Sequence, residues 1–233
     1  SEEEKARYYE VNRDLAVRAA QKARRDGVGQ FVYMSSVIVY GDSAPVGKRK
    51  HITQETLPAP TNFYGDSKWQ AEQALRKLAD ESFAVALVRA PMIYGRDSRG
   101  NFPLLAKLAG RLPLFPDIDN ERSVLYVENL AEFLRLLAES GRGGVFFPQN
   151  GEYATTAQLV LMIGEARGRR IRLWRGLNPF VRLAGKLPGR VGRMADKAFG
   201  SLTVDQALSV RDFDGYQMYS LEESIGRIYG SSL

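Results

Sequence analysis

Short apolar runs alternate with helical segments through the first two-thirds of the chain, and this alternation constrains the fold more than any other feature. Runs at 30–34 and 83–88 have the length and apolar character of buried strands, and residues 62–80 between them have helical spacing. Strands separated by helices of about 10–15 residues are typical of a parallel sheet with right-handed crossovers. The sequence therefore predicts an α/β fold. The same patterns predict further helices at 101–111, 128–140, 155–167 and 220–229, and further strands at 123–127, 145–148 and 171–174.

A helix is also predicted at the start of the chain, over residues 3–25, with Gly27 in place to end it. Its larger apolar residues recur at helical spacing and predict an inward face: Tyr8, Val11, Leu15 and Ala19. Asn12 lies on the same predicted face. A buried amide needs hydrogen-bond partners, so Asn12 is expected either to tie neighbouring backbone together or to contact a ligand.

The pair Tyr64 and Lys68 is the first candidate for chemistry. On a helix the two side chains lie one turn apart on one face, and a nearby ammonium favours the phenolate and lowers the pKa of the phenol. Such a phenol can take a proton from an alcohol or return it. The spacing alone arises often by chance in a chain with 11 Tyr and 33 Lys+Arg, and a solvated helix pair is the alternative. Ser35 and Ser36 support the chemical interpretation, because they follow the predicted strand 30–34 at the edge where open α/β sheets bind ligands.

Composition excludes several kinds of site. The chain has no cysteine and a single histidine, His51, so a disulfide, a thiol nucleophile, a histidine-based triad and a cysteine or histidine metal site are not expected. The sequence contains no apolar run near the ~20 residues that span a bilayer. Its first residues, Ser-Glu-Glu-Glu-Lys, do not resemble a signal peptide. These features predict a soluble cytoplasmic protein without a metal.

Positive charge is concentrated in one stretch of the chain. Residues 167–200 contain one acid, Asp196, and ten basic residues: Arg167, Arg169, Arg170, Arg172, Arg175, Arg182, Lys186, Arg190, Arg193 and Lys197. The stretch suits a phosphate-bearing ligand or an anionic membrane, and a solvated basic face is the alternative. Its amphipathic part, 178–199, predicts possible peripheral contact with a membrane. No nucleic-acid partner is expected, since the stretch lacks aromatic residues interleaved in an RNA-binding motif.

Three motifs occur in order and together carry a resemblance. They are Phe31-Val32-Tyr33-Met34-Ser35-Ser36-Val37-Ile38-Val39-Tyr40-Gly41, Tyr64-Gly65-Asp66-Ser67-Lys68 and Arg89-Ala90-Pro91-Met92-Ile93-Tyr94-Gly95. They resemble the extended short-chain dehydrogenase/reductase family, in its nucleotide-sugar epimerase/dehydratase branch. The resemblance implies a Rossmann-type parallel sheet with helices on both faces and a smaller α/β substrate lobe. It implies a dinucleotide-binding domain at 1–95 and 123–150, and a substrate-binding lobe at 96–122 and 151–233.

The resemblance also implies roles for individual residues. Tyr64 would be the catalytic acid/base, Lys68 would lower its pKa and hold the nicotinamide ribose, and Ser36 would bind the reacting hydroxyl. Asn12, Ser35 and Pro91 would lie at the cofactor, which is expected to be NAD, with NADP left open. Substrate contacts beyond Ser36 are implied at three further positions: Asn101 at the diphosphate, Phe115 at the nucleotide base and Arg122 at a phosphate. Arg190 or Arg193 could supply a second arginine.

The type of reaction follows from what stands beside Ser36. The family's dehydratases carry a sequence like Thr-Asp-Glu at these positions, whereas this chain has Ser36, Val37 and Ile38. The aliphatic side chains of valine and isoleucine cannot donate or accept a proton. The Cys/His pair of related epimerase-reductases is excluded by the absence of cysteine. The favoured prediction is an NAD-dependent epimerase acting at C4 of a UDP-sugar. An NADP-dependent carbonyl reductase, an epimerase of a lipid-diphosphate-linked sugar and a catalytically inactive binding protein remain alternatives.

One part of the family pattern is absent from this sequence. No strand is followed by the glycine-rich turn that cradles the dinucleotide pyrophosphate. We therefore expect that this chain corresponds to the family without roughly the first 70–80 residues of the cofactor half, and that it binds NAD poorly as it stands. The family further implies a possible homodimer through the helices at 3–25 and 62–80.

Overall fold

The computed structural model describes residues 2–98, 100 and 102–230, which form an α/β fold. Asn101, predicted to contact substrate, lies outside the described residues. The strands of the described residues are, in chain order, β1 (Gln30–Ser36), β2 (His51–Ile52), β3 (Ala84–Ala90), β4 (Met92–Tyr94), β5 (Leu114–Phe115), β6 (Val124–Tyr126), β7 (Gly144–Phe146), β8 (Arg172–Leu173) and β9 (Thr203–Val204).

Most of these strands are separated in the sequence by helices. Over the described residues they are α1 (Glu2–Tyr9), α2 (Ala16–Arg25), α3 (Phe63–Arg76), α4 (Phe102–Ala109), α5 (Val127–Ser140), α6 (Thr156–Ala166), α7 (Asn178–Lys186), α8 (Arg190–Phe199), α9 (Gln206–Val210) and α10 (Leu221–Tyr229). A π-helical turn, Glu10–Leu15, joins α1 to α2, so the predicted helix 3–25 is one continuous helical segment with a wider turn inside it.

The main sheet is parallel and has the strand order β1-β3-β7. Six of the seven residues of β3 are buried and only Ala84 keeps partial exposure, as expected for a central strand covered by helices on both faces. The register pairs Ser35 with Arg89 and Ser36 with Ala90. The carboxyl ends of β1 and β3 therefore meet at the same edge of the sheet, as the sequence predicts.

The inward face predicted for the first helix is wrong. The residues that pack against the sheet are Ala16, Val17, Ala20 and Ala23, with Ala20 fully buried. The larger side chains Val11 and Leu15 are 50% and 52% exposed. Small alanines allow the helix to approach the sheet closely, and the π turn inserts a residue that shifts the helical register. The large apolar residues consequently line the outer face.

The chain leaves the main sheet at Pro91. Proline has no N–H with which to continue a strand ladder, and β4, directly after it, pairs with β6 in a separate two-stranded sheet. Two further parallel pairs, β2 with β9 and β5 with β8, join distant parts of the sequence. A second hydrophobic core forms here around Tyr94, Phe102 and Phe115, with α6 and α10 packed on it. Pro91 thus marks the boundary between the main sheet and the second core.

Some predicted boundaries differ from the structure. Ser35 and Ser36 are the last residues of β1 rather than residues past its end. The segment 178–199 forms two helices, because Pro188 and Gly189 lie between α7 and α8 and Gly189 has a φ of 80° that favours glycine. The short strands β2, β5 and β9 are two residues long and show no periodicity by which a sequence could predict them.

Candidate active site

The start of α3 is fixed against the end of β1 by Gly65. Asn62 caps the helix, and its side chain accepts a hydrogen bond from the Gly65 N–H at 2.9 Å. A Cβ on Gly65 would lie 2.7 Å from the carbonyl oxygen of Ile38. Only glycine permits this approach without displacing backbone. The first turn of α3, which carries Tyr64, therefore lies directly against the residues that follow Ser36.

Lys68 joins the next turn of α3 to β1. Its Nζ donates a hydrogen bond to the Met34 carbonyl at 2.8 Å and lies 4.7 Å above the centre of the Tyr33 ring. Burial lowers the pKa of Lys68 to about 8, although Glu72 acts to raise it. An ammonium has three donors, and the Met34 carbonyl is its one acceptor among the described residues. Two donors remain for a ligand at the edge of the sheet.

Tyr64 lies one turn before Lys68, with the ammonium 6.0 Å from the centre of its ring. The residue is 38% exposed, so a ligand can reach it. Burial of the phenol raises the pKa of Tyr64, and the neighbouring phenol of Tyr8, whose ring centre is 5.8 Å away, raises it further. The lowering of this pKa that was predicted from Lys68 is therefore absent in the protein alone, where desolvation of the phenolate has the largest effect.

Ser36 completes the arrangement at the carboxyl end of β1. It is the N-cap of the 3-10 turn Val37–Tyr40, and its Oγ accepts a hydrogen bond from the Ile38 N–H at 3.3 Å. The hydroxyl hydrogen remains free to bind an acceptor. Since Gly65 contacts Ile38 and Lys68 contacts Met34, the structure brings Ser36, Tyr64 and Lys68 to one edge of the sheet. Pro91 lies buried at the same edge, just after Ala90, the register partner of Ser36.

Asn12 lies in the π-helical turn and is held by the catalytic helix. Its Nδ2 donates to Ser67 Oγ at 3.0 Å, and its carbonyl accepts from the Tyr33 hydroxyl at 2.7 Å. Ser67 Oγ in turn donates to the Tyr64 carbonyl at 2.9 Å. Asn12 therefore positions α3 in this structure, and π turns are frequent at functional sites. A direct contact of Asn12 with a cofactor stays a prediction.

Ser35, predicted to lie at the cofactor, binds a side chain of the protein itself in this structure, and its contact with a cofactor stays a prediction. Side chains alternate between faces along a strand, so Ser35 points away from Ser36, and its hydroxyl is 6% exposed and donates to Glu72 Oε1 at 2.5 Å. Glu72 also binds Arg89, whose Nη2 lies 2.6 Å from Oε2, and Arg89 Nη1 donates to the Tyr40 hydroxyl at 2.5 Å. This buried network fixes α3 to β1 and β3.

Sequence analysis missed Glu72 and Arg89 as a pair. Two signals were available: Glu72 lies one turn after Lys68 on the same predicted helix, and Arg89 ends an otherwise apolar strand. A buried charge at either position requires a partner. Neither residue could be matched to the other without knowing that α3 packs over β3.

Two residues predicted to contact substrate, Phe115 and Arg122, are buried against groups of the protein itself, and their contact with substrate stays a prediction. Phe115 is 2% exposed and packs against Phe199, with ring centres 5.7 Å apart, so it is a core residue. Arg122 is 8% exposed, and its guanidinium donates to the Gly200 carbonyl at 3.0 Å and to the Lys197 carbonyl at 2.6 Å. Burial lowers the pKa of Arg122 to about 10. Its Nε and Nη2 donate to carbonyls at the carboxyl end of α8.

A family model described as the NAD dependent epimerase/dehydratase family matches residues 1–147, more than half of the chain. The chain belongs to this family. It is 31% identical to a UDP-glucose 4-epimerase of Vibrio cholerae, over 85% of this chain and 61% of that protein.

Two further proteins are similar. An N-acetyl-α-D-glucosaminyl-diphospho-ditrans,octacis-undecaprenol 4-epimerase of Escherichia coli O157:H7 is 28% identical over 91% of this chain and 66% of that protein. The chain thus spans about two-thirds or less of the length of these relatives. A UDP-glucose 4-epimerase of Thermotoga maritima, solved with UDP-glucose, superposes with a TM-score of 0.72 at 20% identity and covers 98% of this chain and 71% of that one. The fold is therefore Rossmann-like, as predicted.

The cofactor of this family is NAD, and part of the candidate site fits it. Lys68 has two unused donors and Tyr64 is accessible, which suits the ribose hydroxyls at the nicotinamide end. The described residues include no cluster of His, Cys, Asp or Glu suited to a metal ion. Within the described parts of the chain, no helix is long and apolar enough to cross a membrane.

Proposed function

We propose that this protein catalyses the NAD-dependent epimerisation of a UDP-sugar at C4, with Tyr64 as acid/base. The observation that carries the proposal is the placement of Tyr64, Lys68 and Ser36 at one edge of the parallel sheet, fixed by the contacts of Gly65 with Ile38 and of Lys68 with Met34. Membership of the epimerase/dehydratase family and the 4-epimerase relatives support it.

In the proposed reaction Tyr64 transfers the proton, and Ser36 and Lys68 position the sugar and the cofactor. NAD, when bound, supplies the chemistry of taking a hydride from the sugar carbon and returning it. Tyr64 removes the proton of the C4 hydroxyl. After the keto sugar has rotated to present its other face, Tyr64 returns the proton to the same oxygen. Ser36 donates a hydrogen bond to the same sugar oxygen. Lys68 holds the ribose with its free donors, and as a cation beside the phenol it stabilises the phenolate once ligand has excluded water.

The absence of further acid/base groups favours epimerisation over dehydration. Val37 is 6% exposed and occupies the position at which the family's dehydratases carry an acidic residue. Ile38 follows it in the 3-10 turn. Elimination of water needs an additional proton donor and acceptor beside Tyr64. The aliphatic side chains here supply neither. Oxidation and return of hydride to the opposite face need only the residues already in place.

A lipid-diphosphate-linked sugar is a second candidate substrate, with the lipid as carrier in place of a nucleotide. The relative from Escherichia coli O157:H7, whose name gives an undecaprenol-linked sugar, supports it. For either candidate we propose a cytoplasmic protein, with peripheral contact with a membrane where the carrier is a lipid. We also propose that 1–95 and 123–150 hold the cofactor and that 96–122 and 151–233 hold the substrate, a division that runs close to Pro91, where the chain leaves the main sheet.

Turnover of UDP-glucose and UDP-N-acetylglucosamine, followed by NMR of the sugar protons with NAD present, tests the proposal. We expect Tyr64→Phe to reduce kcat by roughly 10²–10⁴-fold while NAD binding is retained. Tyr229→Phe is the matched control, because its ring lies beside Arg167 in the second core, away from Tyr64, and its loss should leave activity nearly unchanged.

The alternatives give different outcomes in the same assay. An epimerase regenerates NAD, so NADH does not accumulate, whereas an NADP-dependent carbonyl reductase consumes its reduced cofactor in proportion to product. A binding protein without catalysis would hold NAD and convert neither sugar. Equal activity of wild type and Tyr64→Phe would contradict the assignment of Tyr64.

A homodimer forms part of the proposal. The outer face of α1, the π turn and α2 exposes Val11 and Leu15, and Phe63 at the start of α3 is 50% exposed. These side chains form an apolar surface of two neighbouring helices, a suitable face for packing against a second copy. Light scattering should show a dimer in the wild type and a monomer in the Val11→Glu/Leu15→Glu variant.

A further inference from the structure

Helices α7 and α8 form a hairpin that presents large apolar side chains to solvent. Five of them, together called the hairpin surface, are 47–69% exposed: Phe180, Leu183, Leu187, Val191 and Met194. Phe180 and Leu183 follow helical spacing on α7, Leu187 comes directly after that helix, and Val191 and Met194 follow helical spacing on α8. Clusters of exposed apolar residues of this kind mark an interaction site.

Basic side chains surround the hairpin surface. Arg182 and Lys186 are exposed on α7, and Arg190, Arg193 and Lys197 are exposed on α8. None of these five forms an ion pair with a carboxylate among the described residues. The one acid of the hairpin, Asp196, is turned inward, where Oδ1 accepts from the Val46 N–H at 2.9 Å. The surface therefore combines apolar groups with unpaired positive charge.

The hairpin is attached firmly to the rest of the protein. Gly192 lies so close to the Leu187 carbonyl that no side chain would fit between the helices. Arg122 donates to the carbonyls of Lys197 and Gly200, and Asn178 Nδ2 donates to the Asp117 carbonyl at 2.7 Å. These contacts fix which face of each helix points outward. The opposite faces of the two helices are half-buried, at Val181 and Ala184 on α7 and at Ala195 and Phe199 on α8, so the five apolar residues lie on the outer side.

We propose that the hairpin surface docks on an anionic lipid bilayer, with its apolar side chains in the acyl boundary and its basic side chains at the headgroups. Amphipathic helices with Phe and Leu on one side and Lys and Arg beside them lie in the membrane interface, and each cation near an anionic leaflet adds attraction. The proposal concerns a surface separate from Tyr64 and does not depend on the reaction catalysed there.

Charge and composition disfavour the other occupants. A second copy of the hairpin would bring Arg182, Lys186 and Arg190 against the same cations, which repel one another. A nucleic acid would pair with the cations but would leave Leu183 and Met194 against phosphate and solvent, and Phe180 is the single exposed aromatic residue within α7 and α8. An anionic membrane offers negatively charged headgroups to the basic side chains and acyl chains to the apolar side chains.

Co-sedimentation of the 233-residue chain with vesicles tests the proposal. We expect binding to phosphatidylcholine vesicles that contain phosphatidylglycerol, weak binding to phosphatidylcholine alone, and partial loss of binding in high salt. Arg182→Glu/Lys186→Glu should weaken binding by roughly tenfold or more. Arg25→Glu/Lys77→Glu, which makes the same change in net charge at exposed positions elsewhere, should leave most of the binding intact.

A second pair of variants separates the apolar part from the charge. Leu183→Ser/Met194→Ser should also weaken vesicle binding roughly tenfold, whereas Leu57→Ser/Val28→Ser, at residues 82% and 45% exposed, should not. Trp174 precedes α7 and is 54% exposed. In Trp69→Phe it is the remaining tryptophan, so its fluorescence should shift to the blue on addition of anionic vesicles. Absence of binding, equal loss in the control pairs, or binding of an oligonucleotide without binding of vesicles would overturn the proposal.

Discussion

Gly65 lies so close to Ile38 that a single added methyl group would meet the Ile38 carbonyl oxygen at 2.7 Å and the Pro60 Cβ at 3.2 Å. This approach joins the first turn of the helix that carries Tyr64 and Lys68 to the turn that follows Ser36. The three candidate catalytic side chains depend on it, because Tyr64 precedes Gly65 directly and Ser36 lies two residues before Ile38.

Gly65→Ala is therefore expected to destabilise the protein by about 1–3 kcal/mol through overpacking, although alanine favours a helix over glycine by about 1 kcal/mol. Epimerase activity should fall further than stability explains, because Tyr64 is displaced. Urea unfolding and kcat measure the two effects. Gly29→Ala is the control, since a Cβ there meets nothing within 4 Å. Unchanged stability in Gly65→Ala would show that the backbone near Ile38 adjusts freely.

The lowered pKa of Lys68 predicts a pH dependence of stability. In the folded protein Lys68 loses its proton near pH 8, whereas in the unfolded chain it keeps the proton to about pH 10.5. Between these values the unfolded state binds more protons, so stability rises with pH. Relative to Lys68→Met, the wild type should gain up to about 3 kcal/mol in free energy of unfolding across this window. Parallel stability curves for the two proteins would contradict the shift.

Glu72 and Arg89 form a buried pair, with side chains 0% and 5% exposed. Removing one partner leaves an unpaired buried charge, so Glu72→Leu and Arg89→Leu should each cost about 3–5 kcal/mol. The double variant should cost clearly less than the sum of the two, because it leaves neither charge. Urea unfolding of the wild type, the two single variants and the double variant gives the coupling free energy between the two side chains. Additive losses would mean that the pair is not coupled. The exposed pair Arg135 and Glu132 is the control and should show little effect.

Arg122 is expected to act on stability and not on substrate affinity. Arg122→Gln removes charged hydrogen bonds to the Gly200 and Lys197 carbonyls and should cost about 2–3 kcal/mol. The KM for a UDP-sugar should stay close to that of the wild type at temperatures where the variant is folded. Arg111→Gln, at an exposed arginine, controls for loss of charge. A raised KM with unchanged stability would restore Arg122 to the phosphate site.

The sequence predicted the parts of the site that depend on local spacing. Tyr64 and Lys68 lie on one face because they are four residues apart on a helix, and the carboxyl ends of β1 and β3 meet because strands joined by a crossover helix run parallel. The basic, apolar character of 178–199 was likewise visible in the order of residues. Each of these predictions needed only one element or two consecutive ones.

The sequence did not reveal the surroundings of side chains whose partners lie in distant parts of the chain. Arg122 and Phe115 resembled substrate contacts, but their partners, Gly200 and Phe199, lie about eighty residues further along. The prediction assigned the inward side of the first helix to the wrong face, because both faces carry apolar residues. Only the packing of the helix on the sheet determines which face is buried. The raised pKa of Tyr64 also comes from burial by the assembled fold.

The sequence by itself determined the α/β alternation, the turn that separates Tyr64 from Lys68, and the position of Ser36 at the end of a strand. These follow from periods of two and 3.6 residues that act within an element. Only the tertiary structure decided that Ser35 turns to Glu72, that Arg122 serves the end of α8 and that the hairpin surface faces outward. Burial and hydrogen-bond partners are properties of elements packed together, and no local pattern encodes which elements will meet.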